Sequence, residues 1–69
     1  MKQVGFLGID NYGTCYHMQK HPRKELLEQI GATKAHKMYI DTEGGKSRHV
    51  GYVINGLWIN IYQVYQWKE

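Results

Sequence analysis

The sequence predicts a small α+β domain of order ββαβββ, an antiparallel sheet with one short helix packed on one face. Three observations carry this. Asn55-Gly56 stands between two apolar runs, the strongest short hairpin signal a sequence contains. One stretch alone, PRKELLEQI at 22–30, has helical spacing, and it opens on Pro22 and closes before Gly31. A chain of 69 residues has room for one core, so residues 1–69 are expected to form a single domain.

The elements follow in order. QVGFLGID reads as a first strand, loosened by Gly5 and Gly8, and Asn11-Tyr12-Gly13 as a turn. TCYHMQ pairs back as a second strand in a hairpin. In the helix, Leu26, Leu27 and Ile30 form an apolar stripe opposite charged residues. Arg23 and Lys24 stand at its N-terminus, the wrong end for cations in the helix dipole. AHKMYID is the third strand, Thr42–Lys46 a loop, RHVGYVI the fourth strand and LWINIYQVYQW the fifth.

A two-residue turn at Asn55-Gly56 sets register. Ile54 then faces Leu57, Tyr52 faces Ile59 and Val50 faces Ile61, all on one apolar face. Val53–Trp58, Gly51–Asn60 and His49–Tyr62 fall on the other. A three-residue loop at 44–46 pairs Ile40 with Val50, Met38 with Tyr52 and Asp41 with His49. A two-residue Gly44-Gly45 loop turns Tyr39 inward instead. The expected core is Leu26, Leu27, Ile30, Met38, Ile40, Val50, Tyr52, Ile54, Leu57, Ile59 and Ile61, joined by Val4, Phe6, Leu7 and Ile9. Core parity ends at Gln63, which puts Tyr65 and Trp67 past a bulge or beyond the partner strand.

Composition sets limits. Cys15 is the only cysteine, so no disulfide closes within the chain. The free thiol and the absence of a signal-like or membrane-length apolar run fit a cytoplasmic protein. The net charge is +3, and the excess lies in 20–37, where Lys20, Arg23, Lys24, Lys34 and Lys37 outnumber Glu25 and Glu28. Such a segment is either a solvated helix face or a footprint for an acidic partner.

No constellation reads as a complete catalytic or metal site, and no cofactor is expected. Cys15, His17 and His21 are zinc-type ligands, but the spacing matches no established site and a fourth ligand is missing nearby. His36, Asp41, Arg48 and His49 cluster on the third and fourth strands. A His–Asp pair beside Arg could cleave RNA by acid–base chemistry, whereas a cross-strand charge pair is the plainer reading. Glu43-Gly44-Gly45-Lys46-Ser47 lacks the first glycine and the following helix of a phosphate loop, and Gly5–Asp10 has no dinucleotide fingerprint.

What remains is a surface. Val53, Trp58, Tyr62 and His49, with Tyr39 beside them, are expected on the outer sheet face, an apolar patch of the residue types that dominate binding hot spots. The first expectation is a non-enzymatic module that binds a protein partner there, as a phage or mobile-element protein would to inhibit or modulate a larger bacterial machine. The alternative is a nucleic-acid-binding module, with phosphate contacts from Lys20, Arg23, Lys24, Lys34 and Lys37 and base stacking on Tyr39, Trp58 and Tyr62. A small ribonuclease using His36 or His49 is a third. Two further arrangements compete for the patch: the N-terminal hairpin folds over it, or it forms a homodimer interface.

Overall fold

The computed structural model describes residues 2–66. Its elements are β1 (Lys2–Ile9), β2 (Cys15–Met18), α1 (Pro22–Ile30), β3 (His36–Asp41), β4 (Ser47–Ile54) and β5 (Leu57–Gln66). The five strands form one antiparallel sheet in the order β2-β1-β5-β4-β3, so β5 is central. The helix covers one face alone.

The Asn55-Gly56 turn is formed, with φ of 50° and 77° as a tight turn of this hand requires. It gives the expected pairs Ile54↔Leu57, Tyr52↔Ile59, Val53↔Trp58 and Gly51↔Asn60. The pairing stops there. Val50↔Ile61 and His49↔Tyr62 do not form, and β4 bulges at Val50 where it leaves β5. At the last pair the two backbones come unusually close. A Cβ on Gly51 would overlap the Ile59 carbonyl oxygen and sit 2.9 Å from its carbon and 3.1 Å from Asn60 Cα. Only glycine fits that position.

The helix begins as expected but is held by a residue whose role the sequence concealed. His21, the N-cap, makes no side-chain cap. The Glu25 carboxylate instead accepts the backbone N–H groups of Gln19, Lys20 and His21 at 2.8–3.1 Å. It satisfies donors at the helix start and places an anion at the positive end of the dipole, opposing Arg23 and Lys24. Those hydrogen bonds hold its pKa below the usual 4.5, His21 and Gln19 contributing most. At the other end Gly31 is left-handed, and the Gly31 and Ala32 N–H groups both bond to the Leu27 oxygen at 2.9 and 3.0 Å.

The core consists of Met18, Leu26, Tyr52, Ile54 and Ile59, with Phe6, Tyr16, Leu27, Ile30, Leu57 and Ile61 packed around it. Met18 and Tyr16 were not expected there. Both lie on the helix face of β2, through the pairs Phe6↔Met18 and Gly8↔Tyr16.

Several expected core residues lie elsewhere, for two reasons. First, the β3–β4 loop is Glu43-Gly44-Gly45. It is closed by Thr42 N–H to Lys46 O at 2.9 Å, and by Thr42 Oγ1–H to the same oxygen at 2.6 Å. The pairs are Ile40↔Arg48, Tyr39↔His49 and Asp41↔Ser47, and a bulge at Val50 then shifts them to Met38↔Gly51 and Lys37↔Tyr52. Met38 and Ile40 therefore share the outer face with Gly51 and Val53 rather than joining the core. Asp41 does not oppose His49. Second, β1 pairs with β5, so Leu7↔Tyr62 and Ile9↔Asn60 put Leu7 and Ile9 on the outer face too. Val4 is exposed at an irregularity between Gln3 and Gly5.

Tyr65 needs no bulge of its own strand. It keeps the alternation of Ile59, Ile61 and Gln63, faces the helix side and pairs with Gln3 of β1. Trp67 lies outside the described residues.

Candidate functional site

The outer face is uncovered by any described element. The N-terminal hairpin, which could have folded across it, extends the sheet edgewise as β1 and β2. By register the face carries Leu7 and Ile9 on β1, Trp58, Asn60, Tyr62 and Val64 on β5, Val53 on β4, and Met38 and Ile40 on β3. Trp58 is 61% exposed, Tyr62 52% and Ile40 50%. Large apolar side chains are rarely left so open on contiguous strands. Trp58 is also fixed at its backbone, where its N–H donates to Asn11 Oδ1 at 3.0 Å.

Asn11 is placed by the β1–β2 loop. Buried Asp10 accepts the Tyr12 and Thr14 N–H groups on Oδ1 at 2.8 and 2.9 Å, and the Tyr16 hydroxyl on Oδ2 at 2.9 Å. Burial alone would raise its pKa, but these hydrogen bonds outweigh it, and the carboxyl titrates below the usual 3.8. Burial raises the Tyr16 phenol, helped by the hydrogen bond to Asp10 and its charge.

Of the five residues expected on this face, Val53, Trp58 and Tyr62 are there. Tyr39 and His49 are not. The Val50 bulge turns His49 to the helix side, where its ring lies 4.9 Å edge-on from Tyr52 and 5.6 Å from Tyr39. His49 Nε2 is 2.7 Å from the Gly51 oxygen. His36, the other histidine of the ribonuclease reading, pairs with Val53 on the opposite face. The His–Asp–Arg arrangement is thus not assembled.

The basic segment is also apart from the aromatic patch. Lys20, Arg23 and Lys24 line a shallow depression of about 490 Å³ with His21, Pro22 and Tyr52. Lys37 pairs with Tyr52 on the same side, and Lys34 lies in the α1–β3 connection. The cations of the helix start and Lys37 therefore lie across the sheet from the Trp58/Tyr62 platform, whereas Lys2 and Arg48 fall on the platform's side by register. Cys15 and His17 share the outer face of β2, while His21 opens the helix. Among the described residues no three His, Cys, Asp or Glu side chains are grouped to hold a metal.

Where β4 and β5 diverge, a cleft opens on the helix side. It has a volume of about 600 Å³ and is bordered by Phe6, Pro22, His49, Tyr52, Gln63 and Tyr65. Arg48, His49, Val50, Ile61 and Tyr62 border both it and a smaller recess of about 290 Å³ that also touches Ile40 and Asn60. No sequence signal marks this split, because it arises from the different strands that β4 and β5 follow.

Compared with known protein families, curated proteins and solved structures, the chain matches none. No described helix is long and apolar enough to cross a membrane.

Proposed function

We propose that this protein is a non-enzymatic docking module whose working surface is the outer sheet face. The supporting observation is a central strand that holds Trp58 and Tyr62 in water, on a face the helix does not reach. Aromatic side chains of this size lose little conformational entropy on binding and dominate the energetics of protein interfaces. Neighbouring Val53, Ile40, Val64, Leu7 and Ile9 extend the surface with apolar atoms. A module of this kind acts by occupying a site on its partner, as an inhibitor or modulator of a larger bacterial machine does.

The nucleic-acid reading has weaker support. Stacking on Trp58 and Tyr62 needs phosphate contacts on the same face, where Lys2 and Arg48 alone stand, and the basic cluster at the helix start is on the other. The ribonuclease reading lacks its His–Asp pair.

Capture from bacterial lysate tests the proposal. Immobilised protein should retain a specific partner, a Trp58→Arg variant should lose it, and an Arg23→Glu variant should keep it. Salt-sensitive binding to random RNA or DNA, abolished by Arg23→Glu and indifferent to Trp58→Arg, would overturn the proposal in favour of nucleic acid.

A further inference from the structure

The outer face has the size and chemistry of half an interface. We infer that its occupant is a second copy of this chain, packed face to face, so that two outer faces become the inside of a β-sandwich. The inference rests on the docking role of that face, for which a second copy and any lysate partner would compete.

The first argument is surface area. A folded monomer of 8.1 kDa exposes about 4,500 Å². This chain exposes 5573 Å². The excess, on the order of 1,000 Å², compares with the ~800 Å² that each partner buries in a stable interface of standard size.

The second is shape. The radius of gyration is 13.0 Å, against about 11 Å for a compact domain of this length. The extents are 40 × 36 × 20 Å, a slab one sheet and one helix thick. Stacking two slabs on their sheet faces doubles the short dimension alone and gives a near-cubic body. Five strands ~4.8 Å apart and roughly eight residues long at ~3.3 Å each present about 600 Å² in projection. Accessible area on a corrugated face is larger, so the sheet can supply what the interface needs.

The third is self-complementarity. The apolar side chains run across all the inner strands, with Trp58, Asn60 and Tyr62 at the centre on β5. Polar and charged groups stand at its margins: His36 and His17 on the edge strands, Lys2 and Arg48 near the ends of β1 and β4. No Asp or Glu of the described residues is on this face, so two copies would meet through its apolar centre with Lys2 and Arg48 kept at the rim. Asn60 is the polar group at its centre. Buried under an arbitrary apolar partner, its amide would lose its hydrogen bonds to water without replacement. A two-fold axis crossing the interface at β5 brings the same amide from the other copy. Each amide N–H can then donate to the other's oxygen, as a single buried asparagine fixes register in a coiled coil.

Edge-to-edge pairing is the competing mode for a second copy. β2 is only four residues long, and β3 carries Lys37 and Asp41, features that discourage strand addition.

Light scattering and sedimentation, run on the whole chain over a range up to about 100 µM, test the inference. The expected result is a dimer of twice 8.1 kDa that dissociates on dilution. Asn60→Asp sets two carboxylates together at the axis and should weaken association by at least about tenfold. Trp58→Arg should leave a monomer, while Arg23→Glu should change nothing. Circular dichroism verifies that each variant is folded. The wild-type mass needs no variant: a folded wild-type monomer at the highest concentration overturns the inference. A dimer that persists in both Asn60→Asp and Trp58→Arg overturns it as well, since association then uses another surface. A wild-type monomer that still captures a lysate partner through Trp58 would end the second-copy inference and leave the docking function standing. A Trp58-insensitive dimer with no lysate partner would end both.

Discussion

Replacing Gly51 by alanine tests whether the β4–β5 contact limits the fold. The added Cβ would overlap the Ile59 carbonyl oxygen and lie 2.9 Å from its carbon, where non-bonded carbons prefer ~3.5–4.0 Å. The obstructing atoms are backbone, so no side chain can rotate away. The strands must separate by something over ~0.6 Å, and the adjacent Tyr52↔Ile59 pair, both buried, is pulled with them. Overpacking costs ~1–3 kcal/mol and a loosened ladder bond ~0.5–1.5 kcal/mol, so the expected loss is about 3 kcal/mol. In a domain of this size that lowers the melting temperature by roughly 12–24 °C. Gly44→Ala is the control. It has φ of 88° but nothing within 4 Å, so it bears only the backbone cost of ~1–2 kcal/mol. Thermal melts followed by circular dichroism compare the three proteins. A Gly51→Ala protein that melts no lower than Gly44→Ala would show that the β4–β5 contact does not limit the fold.

Leu26 is fully buried under the sheet. Leu26→Ala should cost about 3–5 kcal/mol in urea unfolding, enough to leave much of the chain unfolded at 37 °C. Asn11→Ala removes the Trp58 N–H acceptor and should cost about 1 kcal/mol in the same assay, with no change in fold. The Asp10 carboxyl titrates below its usual 3.8 in the folded chain. Its contribution is complete above that value and disappears as pH falls through the lower, folded pKa. Wild-type stability should therefore drop on acidification below pH 3.8, and an Asp10→Asn variant should show a smaller acid dependence. The same sign holds for Glu25 below 4.5, so Glu25→Gln should flatten the acid limb too.

Much of the fold was legible because it rests on local rules. Pro22 and Gly31 bounded the helix, and Leu26, Leu27 and Ile30 marked its buried stripe. Asn55-Gly56 permitted one tight turn, and four cross-strand residue pairs of β4 and β5 followed. The outer-face position of Val53, Trp58 and Tyr62 came from that turn by counting. Glu25 was hidden because its partners are backbone N–H groups of the preceding linker, and sequence shows only a charge there. Tyr39 and His49 were misplaced by the bulge at Val50. The loop at 43–45 moves each partner by two residues and keeps the faces, whereas the bulge inserts one residue, and one residue reverses a strand's faces.

Element order, the helix bounds and the β4–β5 turn could be read from the residues alone, since each depends on positions a few apart. Tertiary structure decided strand order, and with it the rest. Placing β1 against β5 rather than over the sheet left the outer face open and moved Leu7 and Ile9 onto it. The physical reason is that strand pairing joins residues more than 50 apart, such as Leu7 and Tyr62, through backbone hydrogen bonds that carry no residue code. Side-chain pattern says that a strand has two faces, and only the assembled sheet says which one meets water.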